Sequence, residues 1–468
     1  MRDYAPGFQS TEEEVDTRLP LATPDWLRGT LIRNGPGQFE PGGRRVAHWF
    51  DGLAMLRAFT VGENLHYRNR VLDTTAREAA ERGEAVGGFG TDSGRSLPRR
   101  ALDALAPPEA TDNTNVHVAR LGGEFAALTE TPKLTLFDPE TLETTGRTSY
   151  LGEPSGQLVT AHPHHDADRG ETLNLHTHFG RKNEYRLSIQ PDGVWSRRTL
   201  ARLPTEKPAY VHSFGLTREH VIVTEFPLVV TPLKLLFPSS KSFIERYDWT
   251  PKRGTRIRVV SRETGEVVVD AEAPATFAFH HVNAFQEGGE LVFDLVAFDD
   301  ASAIGALYLD ELTADDFAFA GGRLDRYRLA LDTAEISVET AYEGGIALPR
   351  HSPKVHMDPY RYVYGQGTAG QPVTDFPHEL LKVDVTSGDV ERFREEHWYF
   401  SEPVFVPHPE GVAEDDGVLL AVALDTVAET SRFVVVDAQS MRLVDSVALP
   451  HVLPFDFHGA FFRDVPPA

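Results

Sequence analysis

The stretch IRVVSRETGEVVVDAE, residues 257–272, reads as two β-strands closed by a turn. β-Branched residues crowd both flanks, while Ser261 to Gly265 carry the polar and glycine chemistry that reverses a chain. The same phrase recurs at 56–69 (LRAFTVGENLHYRN), 134–147 (LTLFDPETLETTGR) and 185–200 (YRLSIQPDGVWSRRTL). It returns at 327–340 (YRLALDTAEISVET), 380–395 (LLKVDVTSGDVERFRE) and 433–449 (FVVVDAQSMRLVDSVAL). Hairpins repeating at intervals of roughly 50–80 residues have the period of a propeller built from four-stranded blades. A sandwich or barrel would also be rich in hairpins, but even spacing along the whole chain favours the propeller. The expectation is an all-β, seven-bladed β-propeller forming a single domain over 1–468, with loops and short helices as a cap over its top face.

Composition narrows the function classes. A net charge of −24 over 468 residues, with no Lys/Arg-rich run, argues against a nucleic-acid partner, which would need a basic face. The absence of cysteine removes disulfides, thiolate nucleophiles and cysteine-bound metals together. Any metal must therefore sit on His, Asp or Glu, and 19 histidines are available. The opening MRDYAPGFQSTEEEVDTRLP lacks the apolar core of a secretion signal, and no run is long enough to span a bilayer, so a cytoplasmic location is expected.

One segment breaks the alternation: FPLVVTPLKLLFPSSKSFIERYDW, residues 226–249. It reads either as a partly buried loop or short helix of the cap, or as an apolar patch that touches a membrane leaflet or frames a tunnel mouth.

Four phrases place a histidine among small or aromatic residues at a strand end: TAHPH (His162), YVHSFGLT (His212), FHHVNAF (His280 and His281) and FDFHGAFF (His458). A lone buried histidine is more often a hydrogen-bonded core residue than a ligand. Here the intervals approximate one blade, one blade and three blades, so one inward histidine per blade would converge on the propeller axis. Such a set would suit zinc closed tetrahedrally, or an octahedral iron with two open positions; ligand type alone does not choose. Glu130 in ALTETPK and Glu402 in YFSEPVFVPHP follow the same periodicity, and ligating imidazoles commonly pass their second N–H to a carboxylate.

These phrases together resemble the carotenoid cleavage oxygenases. The likeness runs nearly end to end, through GTLIRNGPGQFEPG (29–42), HWFDGLAMLRAF (48–59), TDNTNVHV (111–118) and LTETPKLTLFDPETLE (128–143). It continues through TAHPHHD (160–166), YVHSFGLT (210–217), FHHVNAFQE (279–287), YRYVYGQG (360–367), SEPVFVPHPEGVAEDDGVLL (401–420) and FHGAFF (457–462). The resemblance implies one non-haem Fe(2+) per chain, held by His162, His212, His280 and His458, with O2 as co-substrate. His280, three positions before the Asn of its motif, is then the ligand rather than His281, and Glu130 and Glu402 are the carboxylates behind the ligands. The implied reaction cleaves a conjugated C=C bond of an apolar polyene, a carotenoid or apocarotenoid, giving aldehyde or ketone products that include the retinal class. The family's stilbene-cleaving branch is the alternative, but its lysine position corresponds to Thr129. A propeller that binds a ligand without turnover is the alternative of another class. The chain departs from the family at GIALPRH (345–351), where Ala347 stands in place of a third carboxylate, so that one ligand, His280, would lean on water or a carbonyl. Segment 226–249 is the expected peripheral membrane contact, and the oligomeric state is left open.

Overall fold

The computed structural model describes residues 2–11, 13–84, 86, 88–92, 110–150, 152–236 and 241–465. Its main sheets are seven antiparallel blades, and each of the seven hairpins read from the sequence is the third and fourth strand of one blade. The hairpin of residues 257–272 pairs Thr255–Ser261 with Val267–Ala273, Val259 opposite Val269, with a bulge between Val259 and Val260. Its turn needs Gly265: φ is +74°, and a Cβ there would lie 2.1 Å from the carbonyl oxygen of Leu200. The fourth strand alternates exposed and buried residues along its outer half. Strands nearer the middle of a blade, such as Glu290–Phe298 and Gly417–Asp425, are buried almost throughout, because neighbouring blades cover both faces.

The ring closes between the chain ends. His458–Phe462 pairs with Gly29–Gln38, so the last strand becomes the innermost strand of the first blade. The innermost strands of the next blades are His117–Leu121, then Leu158–Val159 with His164–Asp166, then Gly215–Leu216, then Phe277–Glu287. Ile346–Arg350 and the pair Trp398–Phe400 with Val404–Pro407 complete the set. These strands are short or interrupted, and that irregularity is where the candidate site is built.

The cap comes from insertions between strands. Residues 226–249 interrupt the fourth blade: Leu228–Val229 pairs with Asp248–Trp249, and the short helix Leu233–Leu236 lies between them. Residues 237–240 of this segment lie outside the described residues. Phe226, Val229 and Val230 are buried, while Leu233 is 62% exposed, so the segment is part core and part rim. Among the described residues no helix is long and apolar enough to cross a membrane.

Candidate metal centre

Four local irregularities deliver the four histidines. His162 occupies the gap between Leu158–Val159 and His164–Asp166, where Pro163 cannot donate to a ladder. His212 precedes the two-residue strand Gly215–Leu216. His280 falls within the first of two register shifts of Phe277–Glu287, between Ala278 and His281, a bulged geometry that re-aims side chains. His458 begins the strand that closes the ring. The ligand-capable nitrogens of these four residues all lie within 4.8 Å of one another. His162 Nε2 is 3.0 Å from His212 Nε2, and His280 Nε2 is 3.3 Å from His458 Nε2.

Two carboxylates settle the tautomers. His212 Nδ1 donates to Glu130 Oε1 at 2.6 Å, and His458 Nδ1 donates to Glu402 Oε1 at 2.7 Å. Each ring therefore turns an Nε2 lone pair toward the centre, which is the form a metal binds. Burial first, and the nearness of the other rings second, hold His162 and His280 well below the ordinary imidazole value. Burial also lowers His458, against the opposing pull of Glu402. Neutral imidazoles with converging lone pairs fit a divalent cation of the first transition row.

The two carboxylates are held differently. Tyr210 donates its hydroxyl to Glu130, 2.9 Å from both oxygens. Glu402 is clamped by Arg350, Nε to Oε1 at 2.8 Å and Nη2 to Oε2 at 2.9 Å, and accepts from the Gly459 amide at 2.9 Å. Burial opposes the Glu402 charge, but Arg350 and His458 outweigh it and keep the carboxyl far below the usual range. Sequence reasoning missed both Tyr210 and Arg350. Each stands in a quoted motif, two residues before His212 and three after Ala347, but only the fold shows that they reach Glu130 and Glu402.

His280 differs from its neighbours. Among the described residues its Nδ1 has no hydrogen-bond partner, and Ala347 faces the same cavity from the sixth blade, opposite Gln366. Of the expected water or backbone carbonyl, no carbonyl among the described residues bonds that nitrogen. Ala347→Glu is expected to tighten divalent-metal binding about 10–100-fold by supplying an acceptor, as partners behind ligands generally do. Anaerobic titration of both proteins checks this, and equal affinities would mean that His280 needs no such support.

The remaining histidines of the motifs take other roles. His281 bonds Ser213 Oγ and Thr224 Oγ1, both at 2.9 Å, away from the centre. His165 is exposed and pairs with Asp192, as a rim residue would. His164 is enclosed: its Nε2 donates to the Phe214 carbonyl at 2.8 Å and its ring stacks on His356. Asp166 starts a turn, accepting from the amides of Asp168 and Arg169.

Enclosed imidazoles elsewhere make an acid prediction. Burial holds His48 at about 4 and His176, His351 and His356 at about 3. In the unfolded chain each would titrate near its ordinary ~6.5. Between those values the unfolded state binds more protons, so this contribution is complete above about 6.5 and is lost as pH falls toward 3. The urea midpoint is expected to fall steadily from pH 7 to pH 5, before carboxylates begin to protonate. A flat midpoint over that interval would contradict it.

His212, His280 and His458 open on a cavity of about 1550 Å³, whereas His162 is not part of its wall. That volume exceeds the ~300–1,000 Å³ common for small-ligand sites. Beside the histidines the wall is aromatic: Phe279 packs 5.3 Å from His212 between ring centres, and Phe50 touches Phe279, Phe457 and Phe89. Thr129 is on the wall, and Leu233, Leu235 and Phe243 of the 226–249 insertion line it too. The insertion therefore lines part of the cavity.

The family model described as retinal pigment epithelial membrane protein matches residues 8–463. The human β,β-carotene 15,15′-dioxygenase is 29% identical, covering 97% of this chain and 93% of its own. The mitochondrial carotenoid-cleaving dioxygenase of Macaca fascicularis is 31% identical, covering 98% and 94%. The crystal structure of cobalt-substituted Synechocystis apocarotenoid oxygenase superposes with a TM-score of 0.86 at 26% identity, covering 98% of both chains.

Proposed function

Since the chain belongs to the retinal pigment epithelial membrane protein family, whose matched relatives are carotenoid dioxygenases, we propose that it is a non-haem Fe(II) oxygenase that cleaves a carotenoid or apocarotenoid. One observation carries the reading: four imidazole nitrogens within 4.8 Å of one another, three of the rings open to a large apolar-walled cavity. His162, His212, His280 and His458 would hold the ion, with Glu130 and Glu402 fixing two of the rings. Iron(II), when bound, supplies the centre at which O2 and a conjugated double bond react, both oxygen atoms ending in two carbonyl products.

The rest is done by the chain. His212 and His458 keep their Nδ1 protons on Glu130 and Glu402, so neither ring turns its N–H toward the ion. Phe50, Phe279 and Phe457 wall the reacting region with apolar surface, which excludes water and aligns a rigid polyene by shape. No side chain needs to move a proton, because the atoms balance as alkene plus O2 giving two carbonyls. Thr129 on the wall offers no cation to a phenolic hydroxyl, which supports a polyene over a stilbene. Leu233, exposed and yet part of the cavity wall, supports delivery of such a substrate from a membrane surface.

The test is anaerobic reconstitution with Fe(II), then exposure to O2 with β-carotene, an apocarotenal and resveratrol, and mass analysis of the products. Aldehydes from a carotenoid substrate are expected, with one O2 consumed per bond cleaved. Iron bound stoichiometrically with no O2 uptake on any of them would leave a ligand-binding propeller instead.

A further inference from the structure

Among the described residues, the buried polar side chains of the cavity wall are bonded to the protein with one exception, the metal histidines aside. Asp51 accepts from the Phe89, Gly90 and Thr91 amides, and Asn113 and Asn115 both donate to the Gly52 carbonyl. Thr91 accepts from the Ala47 amide, Ser242 donates to Glu245, and Thr368 donates to the Gly370 carbonyl. Gln366 is the exception. It is 4% exposed, and its side-chain amide has no hydrogen-bond partner among the described residues. Unlike sealed polar atoms such as the Tyr247 hydroxyl, that amide keeps contact with open space, and Gln366 is part of the cavity wall.

Register explains the opening. Gln366 lies on Tyr362–Gly367, directly opposite Ala347 of Ile346–Arg350, and residues directly opposite share a face of the sheet. A carboxylate at 347 would be a near acceptor for the Gln366 amide, whereas a methyl group offers none. The wall around the pair is apolar, with Ile346, Val373, Phe376 and Phe457. An amide left unpaired on such a surface costs free energy that a polar atom of the ligand recovers. A site with one such group discriminates against ligands that lack its partner.

We propose that Gln366 is a specificity-determining residue whose amide N–H donates to an oxygen atom borne by the polyene, so that the chain prefers an oxygenated polyene to a hydrocarbon carotene. This rests on the polyene reading above and narrows it. A ring hydroxyl and an aldehyde carbonyl both present an accepting oxygen to Nε2, and the hydroxyl alone can donate in return to Oε1. Apolar walls hold a rod-shaped polyene by shape but leave it free to slide along its own axis. One directional bond fixes its register past the histidines.

The Fe(II)-loaded protein is titrated anaerobically, so that nothing is cleaved, with β-carotene, zeaxanthin and retinal in the same detergent. Quenching of tryptophan fluorescence reports binding, since Trp49 stands on the cavity wall. Zeaxanthin differs from β-carotene only in its ring hydroxyls, and retinal is a simple polyene aldehyde. Gln366→Leu is expected to weaken binding of zeaxanthin, retinal or both about tenfold and to leave β-carotene unchanged. Gln366→Glu tells the sources apart: it still accepts from a hydroxyl but repels an aldehyde oxygen. Equal changes for all three polyenes in Gln366→Leu, or no change, overturn the proposal. So does a variant that loses Fe(II) but keeps its polyene affinities, which would assign Gln366 to His280. If circular dichroism shows Gln366→Leu unfolded, equal binding of β-carotene and zeaxanthin by the unmodified protein, with retinal unaffected in Gln366→Glu, overturns it. Selective weakening with no O2 uptake when air is admitted leaves this inference standing and removes the oxygenase reading. No quenching by any polyene overturns both.

Discussion

His212→Ala is expected to bind Fe(II) about 10²–10³-fold more weakly than the unmodified protein and to lose cleavage in proportion at limiting iron. The magnitude follows from sharing the ~10–16 kcal/mol of a typical four-ligand site among its ligands, at ~1.4 kcal/mol per tenfold. His212 is the informative choice because its removal also strands Glu130, leaving that carboxylate with Tyr210 alone among its hydrogen-bond partners of the site. Competition with a chelator under anaerobic conditions measures the affinity, and product analysis follows activity over the same iron range. Unchanged iron affinity would remove His212 from the ligand set. His281→Ala, one residue beyond His280 but bonded to Ser213 and Thr224, is the control that keeps its iron.

The second large effect concerns stability. Arg33 is fully buried on Gly29–Gln38 and forks onto Asp456, Nε to Oδ2 at 2.7 Å and Nη2 to Oδ1 at 2.6 Å. Its Nη1 donates to the Glu402 carbonyl at 2.8 Å, so one guanidinium ties the first blade to the residue that orients His458. Arg33→Met removes the forked pair and leaves the buried Asp456 facing only Arg57, whose Nη1 lies 3.9 Å from Oδ2, and is expected to cost about 3–5 kcal/mol. Adding Asp456→Leu should restore only part of that loss, because it leaves the buried Arg57 without the carboxylate it faces. Denaturation midpoints of the single and double variants measure this. A single variant within about 1 kcal/mol of the parent would mean that Arg57 alone holds the Asp456 charge.

The outer hairpins are legible in the sequence because solvent imposes a pattern on them. Their fourth strands have one face to water and one to the neighbouring blade, so residues such as Val269, Ala271 and Ala273 alternate with exposed partners. The inner strands carry no such record. Gly215–Leu216 is two residues long and Phe277–Glu287 is bulged at the histidine, so neither announces itself as a strand that builds a site. Intervals and motifs single out the four histidines, and the fold brings their nitrogens together.

The all-β propeller, the need for a metal to sit on histidine or carboxylate, and the motif positions of His162, His212, His280 and His458 are determined by sequence alone. These follow from patterns along the chain: a repeated hairpin, absent cysteine and regular intervals. Only the tertiary structure decides what stands behind and beside those rings. Arg350 reaches Glu402 across 52 residues, Tyr210 reaches Glu130 across 80, and His117 meets His458 from an adjacent blade. The last of these contacts depends on closing the ring by pairing the last strand with Gly29–Gln38. No local pattern encodes which side chains that closure brings within hydrogen-bonding distance.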